Sequence, residues 1–119
     1  MKVAGLKAIS TILETQAILI RNKNPPHPSL VSKITSRIKG VIAAKKYVLL
    51  NYNILRDILK EATKLTPGRQ APTISPLDDS NWIEVQSMVE KEAAADMMDR
   101  LEEIGARDII LFKIDNCRV

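Results

Sequence analysis

Thr66-Pro67-Gly68-Arg69-Gln70-Ala71-Pro72-Thr73-Ile74-Ser75-Pro76-Leu77 is the stretch on which the fold turns. It carries three of the chain's six prolines. Proline removes a backbone donor and fixes φ, so a helix entering this stretch must stop. Pro67-Gly68 suits a tight turn, with proline pre-setting one central position and glycine free to take φ > 0. Thr73-Ile74-Ser75 has the composition of a short strand. Polar loops framed by prolines and set between packed elements are places where binding groups are held. From composition alone, the stiff connector with a short edge strand is the stronger reading.

Regular patterns flank it on both sides. Upstream, Leu55, Ile58, Leu59, Ala62 and Leu65 recur at helical spacing, preceded by a strand pattern over Tyr47 to Asn53. Downstream, Asp78-Asp79-Ser80-Asn81 is a turn cluster. Trp82 to Val89 then alternates, with Ile83, Val85 and Val89 on one side and Glu84 and Gln86 on the other. Ala94, Met97, Met98, Leu101 and Ile104 line a second helix, which Gly105 stops. At this spacing the methionines are core residues. A last strand spans Asp108 to Ile114. The order β-α-β-β-α-β predicts an α+β, ferredoxin-like (split βαββαβ) domain, an antiparallel sheet with two helices on one face.

The region before Tyr47 is different. Thr11 to Ile20 is rich in isoleucine and threonine and is expected to form a long strand. Leu6, Ile9, Leu13, Ala17 and Ile20 also fit a helix stripe, so periodicity alone does not decide. Nothing before this segment supplies a partner strand, which points to a piece of something longer. Pro25, Pro26 and Pro28 break regular structure, and His27 between them is expected in solvent. Ser29 reads as an N-cap for a helix with Leu30, Ile34, Ile38, Val41 and Ile42 on one face and Lys33, Arg37 and Lys39 on the other. Gly40 weakens that helix near its end. The element reads as a connector that covers one domain and leads into another.

Composition excludes several classes. The chain has 119 residues, 45% hydrophobic and 27% charged, enough for one core without disulfides or a structural metal. One cysteine and one histidine cannot build a zinc site, and a single cysteine fits a reducing, cytoplasmic setting. No apolar run approaches the ~20 residues of a membrane span. Met1 to Lys7 is a poor signal peptide. The glycines at 5, 40, 68 and 105 are too scattered for a phosphate loop. No nucleophile elbow or catalytic triad has support. Asp78-Asp79 and Glu102-Glu103 read as solvated carboxylates; Arg118 beside Cys117 could favour its thiolate, but an unreactive cysteine is the stronger reading. Net charge is +4, with seven basic and no acidic residues between Arg21 and Lys46. That cluster permits a basic nucleic-acid-binding module, but aromatics at 3% argue against base stacking.

Several blocks occur together in one order: Ala43-Ala44-Lys45-Lys46-Tyr47, Leu65-Thr66-Pro67-Gly68, Ala71 to Leu77, Trp82, Ile104-Gly105-Ala106 and the ending Asn116-Cys117-Arg118-Val119. Together they resemble the C-terminal part of the long-form ATP phosphoribosyltransferase family, fungal members above all. Ala4-Gly5-Leu6 through Ile20 is similar to the last portion of that family's catalytic region.

The resemblance implies that residues 1–42 are the tail end of the catalytic region with a connecting helix. Residues 43–119 would be the C-terminal regulatory domain, which binds histidine as an allosteric feedback inhibitor. It implies self-association between dimers and hexamers, and a parent enzyme of histidine biosynthesis that uses ATP, phosphoribosyl pyrophosphate and magnesium. The family's phosphoribosyl-binding loop lies before the position of Met1, so this chain is expected to hold no cofactor and to lack transferase activity by itself. Carried over by position, the histidine site is Asn53, Thr73, Met88 and Asp108. Thr73 offers a hydroxyl and Met88 an apolar wall. Asn51 and Asn53 stand where many bacterial members carry aspartates, and Asp108 stands where some relatives have a small residue. Asp108 is therefore expected to supply the negative charge that Asn53 lacks. An assembly module without ligand is the alternative.

Overall fold

The computed structural model describes residues 9–118. The N-terminal residues, including Ala4-Gly5-Leu6, and the terminal Val119 lie outside them. The element order is α1 (Pro28–Ala44), β1 (Tyr47–Leu55), a short 3-10 turn (Arg56–Ile58), α2 (Leu59–Leu65), β2 (Thr73–Pro76), β3 (Trp82–Glu90), α3 (Ala94–Glu103) and β4 (Arg107–Lys113). From β1 onward this is the expected split βαββαβ.

The four strands form one antiparallel sheet in the order β2-β3-β1-β4. Along β1 and β3, buried and half-buried residues alternate strictly. Val48, Leu50, Tyr52 and Ile54 of β1 and Ile83, Val85 and Val89 of β3 form the core with Ala62, Ala94 and Leu101 of the helices. Met97 and Met98 pack against it, as expected of core methionines. Burying each of the larger aliphatic side chains contributes about 1.5–3 kcal/mol, so this single face carries the domain. The opposite residues of the alternation lie on a face that neither α2 nor α3 covers.

The prolines of Thr66–Leu77 do what their chemistry requires. α2 ends at Leu65, and Gly68 takes φ 66°. A Cβ at Gly68 would sit 3.0 Å from Ser87 Oγ, so this turn needs glycine for both conformation and space. Thr66 is fully buried, and its hydroxyl lies 2.7 Å from the Tyr52 hydroxyl. The loop is thus bolted to the sheet before it emerges as the edge strand β2.

Three expectations are corrected. Residues 9–22 form no strand and 9–20 are exposed throughout. An isolated strand leaves its ladder groups unpaired, and no described strand is hydrogen-bonded to this segment. Helix α1 starts at Pro28 rather than being capped by Ser29: His27 holds the cap position without a side-chain bond. Proline is suited to the first turn because its missing N–H would find no helical partner there. Leu55 belongs to β1, not to the following helix, because its backbone is extended at φ −64° and ψ 139°.

Helix α1 also presents its surfaces differently from the expected pattern. Its apolar stripe, Leu30, Ile34, Ile38, Val41 and Ile42, is exposed among the described residues. The buried positions are Gly40 and Ala44, on the side where the C-terminal tail crosses. The Cys117 amide donates to Gly40 O at 3.2 Å, and Asn116 Nδ2 donates to Arg37 O at 3.3 Å. A Cβ at Gly40 would lie 2.8 Å from the Cys117 carbonyl oxygen and against the Asn116 and Arg118 side chains. Gly40 is therefore the contact surface for the tail.

Candidate functional site

Three of the expected site residues lie on the uncovered sheet face, each on a different strand, and the fourth, Asp108, reaches one of them. In β1 the positions that alternate with the core are Leu49, Asn51 and Asn53, all half-buried. Across the ladder, Asn53 pairs with Glu84, Asn51 with Gln86 and Leu49 with Met88. Thr73 on the edge strand pairs with Gln86. Directly paired residues share a face, so Thr73, Met88 and Asn53 all belong to this one. Thr73 is exposed and Met88 half-buried.

The β1–β4 ladder shifts register between Asn51 and Asn53. Asn51 pairs with Ile110 and Asn53 with Arg107, so the β4 side carries an extra residue. Asp108 sits in that irregularity at φ 51°, the left-handed region that aspartate tolerates better than most side chains. Its Oδ2 accepts a hydrogen bond of 3.0 Å from Asn53 Nδ2. Two of the four expected site residues are thus brought into direct contact. Thr73 and Met88 lie on the same face but on different strands. A cavity of about 530 Å³ beside Asp108 runs toward Met98, Asp99 and Glu102, and includes none of the other three.

Glu84 and Asn51 were not among the expected site residues. Asn51 Nδ2 donates to Glu84 Oε1 at 3.0 Å, while Asn51 Oδ1 is buried without a partner. A buried acceptor left unpaired costs about 1–3 kcal/mol. Carboxylates from two strands, Glu84 and Asp108, flank the two asparagines. The only sequence signal for Glu84 is its position opposite Asn53, which requires the register to be known. At one end of the face the Arg107 guanidinium lies over the Trp82 ring, 4.8 Å from its centroid. Arg69, for which the sequence suggests no role, lies over the Tyr47 ring at 5.9 Å.

Chemically, the face offers acceptors and negative charge beside apolar surface from Leu49, Met88, Ile110 and Phe112. That set suits a small cation-bearing molecule with a hydrophobic or aromatic part. It offers no nucleophile–base pair. Among the described residues, no group of three or more His, Cys, Asp or Glu side chains is placed to hold a metal ion. No helix among them is long and apolar enough to cross a membrane.

Comparison with known families finds a match between residues 44–116 and the family described as HisG, C-terminal domain. Among curated proteins, the chain is 59% identical over 119 residues to the ATP phosphoribosyltransferase of Yarrowia lipolytica. It is 48% identical over 120 residues to that of Saccharomyces cerevisiae. With that of Schizosaccharomyces pombe the identity is 44% over 120 residues. These alignments take in 99–100% of this chain and 39–40% of each relative. The chain therefore spans about 40% of the length of the curated relatives it matches.

Proposed function

The chain belongs to the HisG C-terminal domain family, and from that premise we propose that it is the regulatory portion of an ATP phosphoribosyltransferase of histidine biosynthesis, binding histidine on the open sheet face. The observation that carries the ligand assignment is the Asn53–Asp108 hydrogen bond of 3.0 Å. It sets a carboxylate beside an amide on the face that the helices leave uncovered. The ammonium of histidine would be held by Asp108, with Glu84 adding negative charge from the next strand. A charge-assisted hydrogen bond is about twice as strong as a neutral one, so Asp108 contributes more than Asn53 alone can. The Thr73 hydroxyl would meet a polar group of the ligand, and Met88 would form apolar wall.

Residues 1–42 are read as the end of the catalytic region and residues 43–119 as the regulatory domain. What supports this division is the exposed apolar surface of residues 9–42. Ile18, Leu19, Ile20, Ile34, Ile38 and Ile42 are all exposed. Apolar surface on this scale is a docking face, and the other 60% or so of a relative's length is the natural cover. Binding of ATP, phosphoribosyl pyrophosphate and magnesium belongs to that remainder, and a cytoplasmic location follows from the pathway. The chain alone is expected to show no phosphoribosyl transfer. Measurable product from the purified chain would overturn this.

A second reading, assembly without ligand, is favoured by one observation. Ile110 and Phe112 of the edge strand β4 are about half exposed, at 50% and 47%. An apolar edge strand of this kind is a template for pairing with another chain. Titration calorimetry with histidine, run beside a sizing measurement, separates the two. Saturable heat supports the ligand reading. Oligomers without heat favour assembly alone.

A further inference from the structure

We propose that the groove between the polar side of α1, Arg21 and the C-terminal tail is a binding site for a phosphate group. The groove has a volume of about 530 Å³ and is separate from the Asn53–Asp108 face. Three cationic side chains from three distant parts of the chain line it: Arg21, Lys39 and Arg118. Ser32 and Ser36 line it as well, one turn apart on α1. No Asp or Glu is among the described residues of its lining.

Each part of the lining has a physical reason to face the groove. The tail approaches α1 because Gly40 leaves room for it. Asn116 is tied to Arg37 O at 3.3 Å, and its side-chain oxygen accepts a hydrogen bond from Arg118 Nη1, so the Arg118 side chain is tethered at the groove rather than loose in solvent. The Thr35 hydroxyl is already committed to Val31 O at 2.8 Å. The Ser32 and Ser36 hydroxyls in the lining can donate as well. Three like charges around one groove repel one another, and no Asp or Glu among the described lining residues relieves it. A phosphate dianion removes that repulsion and accepts from every donor present. Guanidinium forks match phosphate geometry, and a lysine supplies a point charge beside them. The spacious, open groove fits a phosphate carried by a larger molecule as well as the free ion.

Calorimetric titration of the 119-residue chain at constant ionic strength tests this, with inorganic phosphate and glycerol phosphate as the two probes. Saturable one-site binding of either probe is expected; tighter binding of glycerol phosphate marks a carried phosphate as the ligand, and equal or weaker binding marks the free ion. Lys39→Gln and Arg118→Gln should each weaken binding about tenfold, the loss of one charge-assisted contact. Lys33→Gln removes a charge from the same helix but outside the groove, and should change affinity less than twofold or so. Far-UV circular dichroism and urea midpoints verify that each variant is folded; should Arg118→Gln lose the tail, Lys39→Gln decides alone. Non-saturable heats with both probes, or equal weakening by Lys33→Gln, would overturn the proposal. Histidine binding on the sheet face is unaffected by these substitutions, so failure here leaves the regulatory reading intact.

Discussion

The Tyr52 and Thr66 hydroxyls lie 2.7 Å apart in the core, joining the central strand to the first residue of the proline-framed loop. Thr66 Oγ1 also lies 3.2 Å from Ala62 O, and its one proton goes there. Tyr52 is then the donor of the pair. Ser87 completes the network by donating to the Thr66 carbonyl at 3.0 Å. Tyr52→Phe leaves the threonine oxygen without its donor. Stability should fall by about 1–2 kcal/mol, the usual cost of a buried group left unpaired. The midpoint of urea unfolding checks this, and an unchanged midpoint would remove the network from any account of the loop.

The same pair predicts an alkaline sensitivity. Burial pushes the Tyr52 phenol above its ordinary value of 10.0; once the phenol ionises, the Thr66 hydroxyl can turn its proton toward the phenolate, which offsets this only in part. Below the unfolded pKa both states hold the proton and pH has no effect through this group. Above it the unfolded chain ionises first, so folding stability falls as pH rises toward the raised folded pKa. The stability advantage of the native chain over Tyr52→Phe should therefore be constant up to about pH 10 and shrink beyond it. Paired urea titrations across that range give the difference directly. A constant difference at all pH values would mean the phenol titrates alike in both states.

Gly68→Ala tests the turn that the prolines frame. The substitution meets two costs, φ 66° and a 3.0 Å approach to Ser87 Oγ. Destabilisation above about 1 kcal/mol is expected. Ser87→Ala has its own cost, since it removes the bond to the Thr66 carbonyl, so the comparison is made in that background: there Gly68→Ala should cost less by the steric part only, because the backbone strain stays. No cost of Gly68→Ala in the Ser87→Ala background would show that φ carries no cost here.

These elements differ in how far local sequence reveals them. The β-α-β-β-α-β order is readable because Trp82–Val89 alternates, the other strands are runs of strand-favouring residues bounded by turn or helix signals, and each helix carries its own stripe. Ser29 is a good cap by composition, but Pro28 starts α1 one residue earlier. The Thr11–Ile20 segment has strand composition but no partner strand, and composition does not report partners. The Asn53–Asp108 contact joins residues 55 positions apart through a register shift that no local pattern encodes. A family resemblance named both residues without giving their contact. Glu84 and the tail crossing at Gly40 were beyond reach for the same reason: each depends on which strands and helices meet.

Asp108 separates ligand binding from stability. Its φ of 51° is a conformation glycine adopts at no steric cost. Asp108→Gly relieves that strain while losing an exposed hydrogen bond, so stability should stay within about 1 kcal/mol of the native chain. Histidine affinity should nonetheless fall about tenfold or more, because the charge is gone. Asp108→Asn should lose affinity too, while keeping an acceptor for Asn53. Calorimetry on both variants decides: unchanged affinity in each would remove Asp108 from the site.

Gly40→Ala sets two preferences of the chain against each other. Within an isolated helix, alanine is better than glycine by about 1 kcal/mol. At this position the added methyl would lie 2.8 Å from the Cys117 carbonyl oxygen, where the tail now crosses. The helix gains and the tail loses its seat. Cys117 is half-buried against Gly40, so its thiol reports on the tail. The thiol should react with a disulfide reagent severalfold faster in Gly40→Ala, with helix content kept or raised and the sheet domain's unfolding midpoint unchanged. The ladder and core of β1, β3 and β4 do not include the tail, which is why the two effects separate. Faster thiol reaction with a lowered midpoint would mean that the tail supports the sheet itself. An unchanged thiol rate would mean that the tail accommodates the methyl by moving along α1, and that Gly40 is not what holds it.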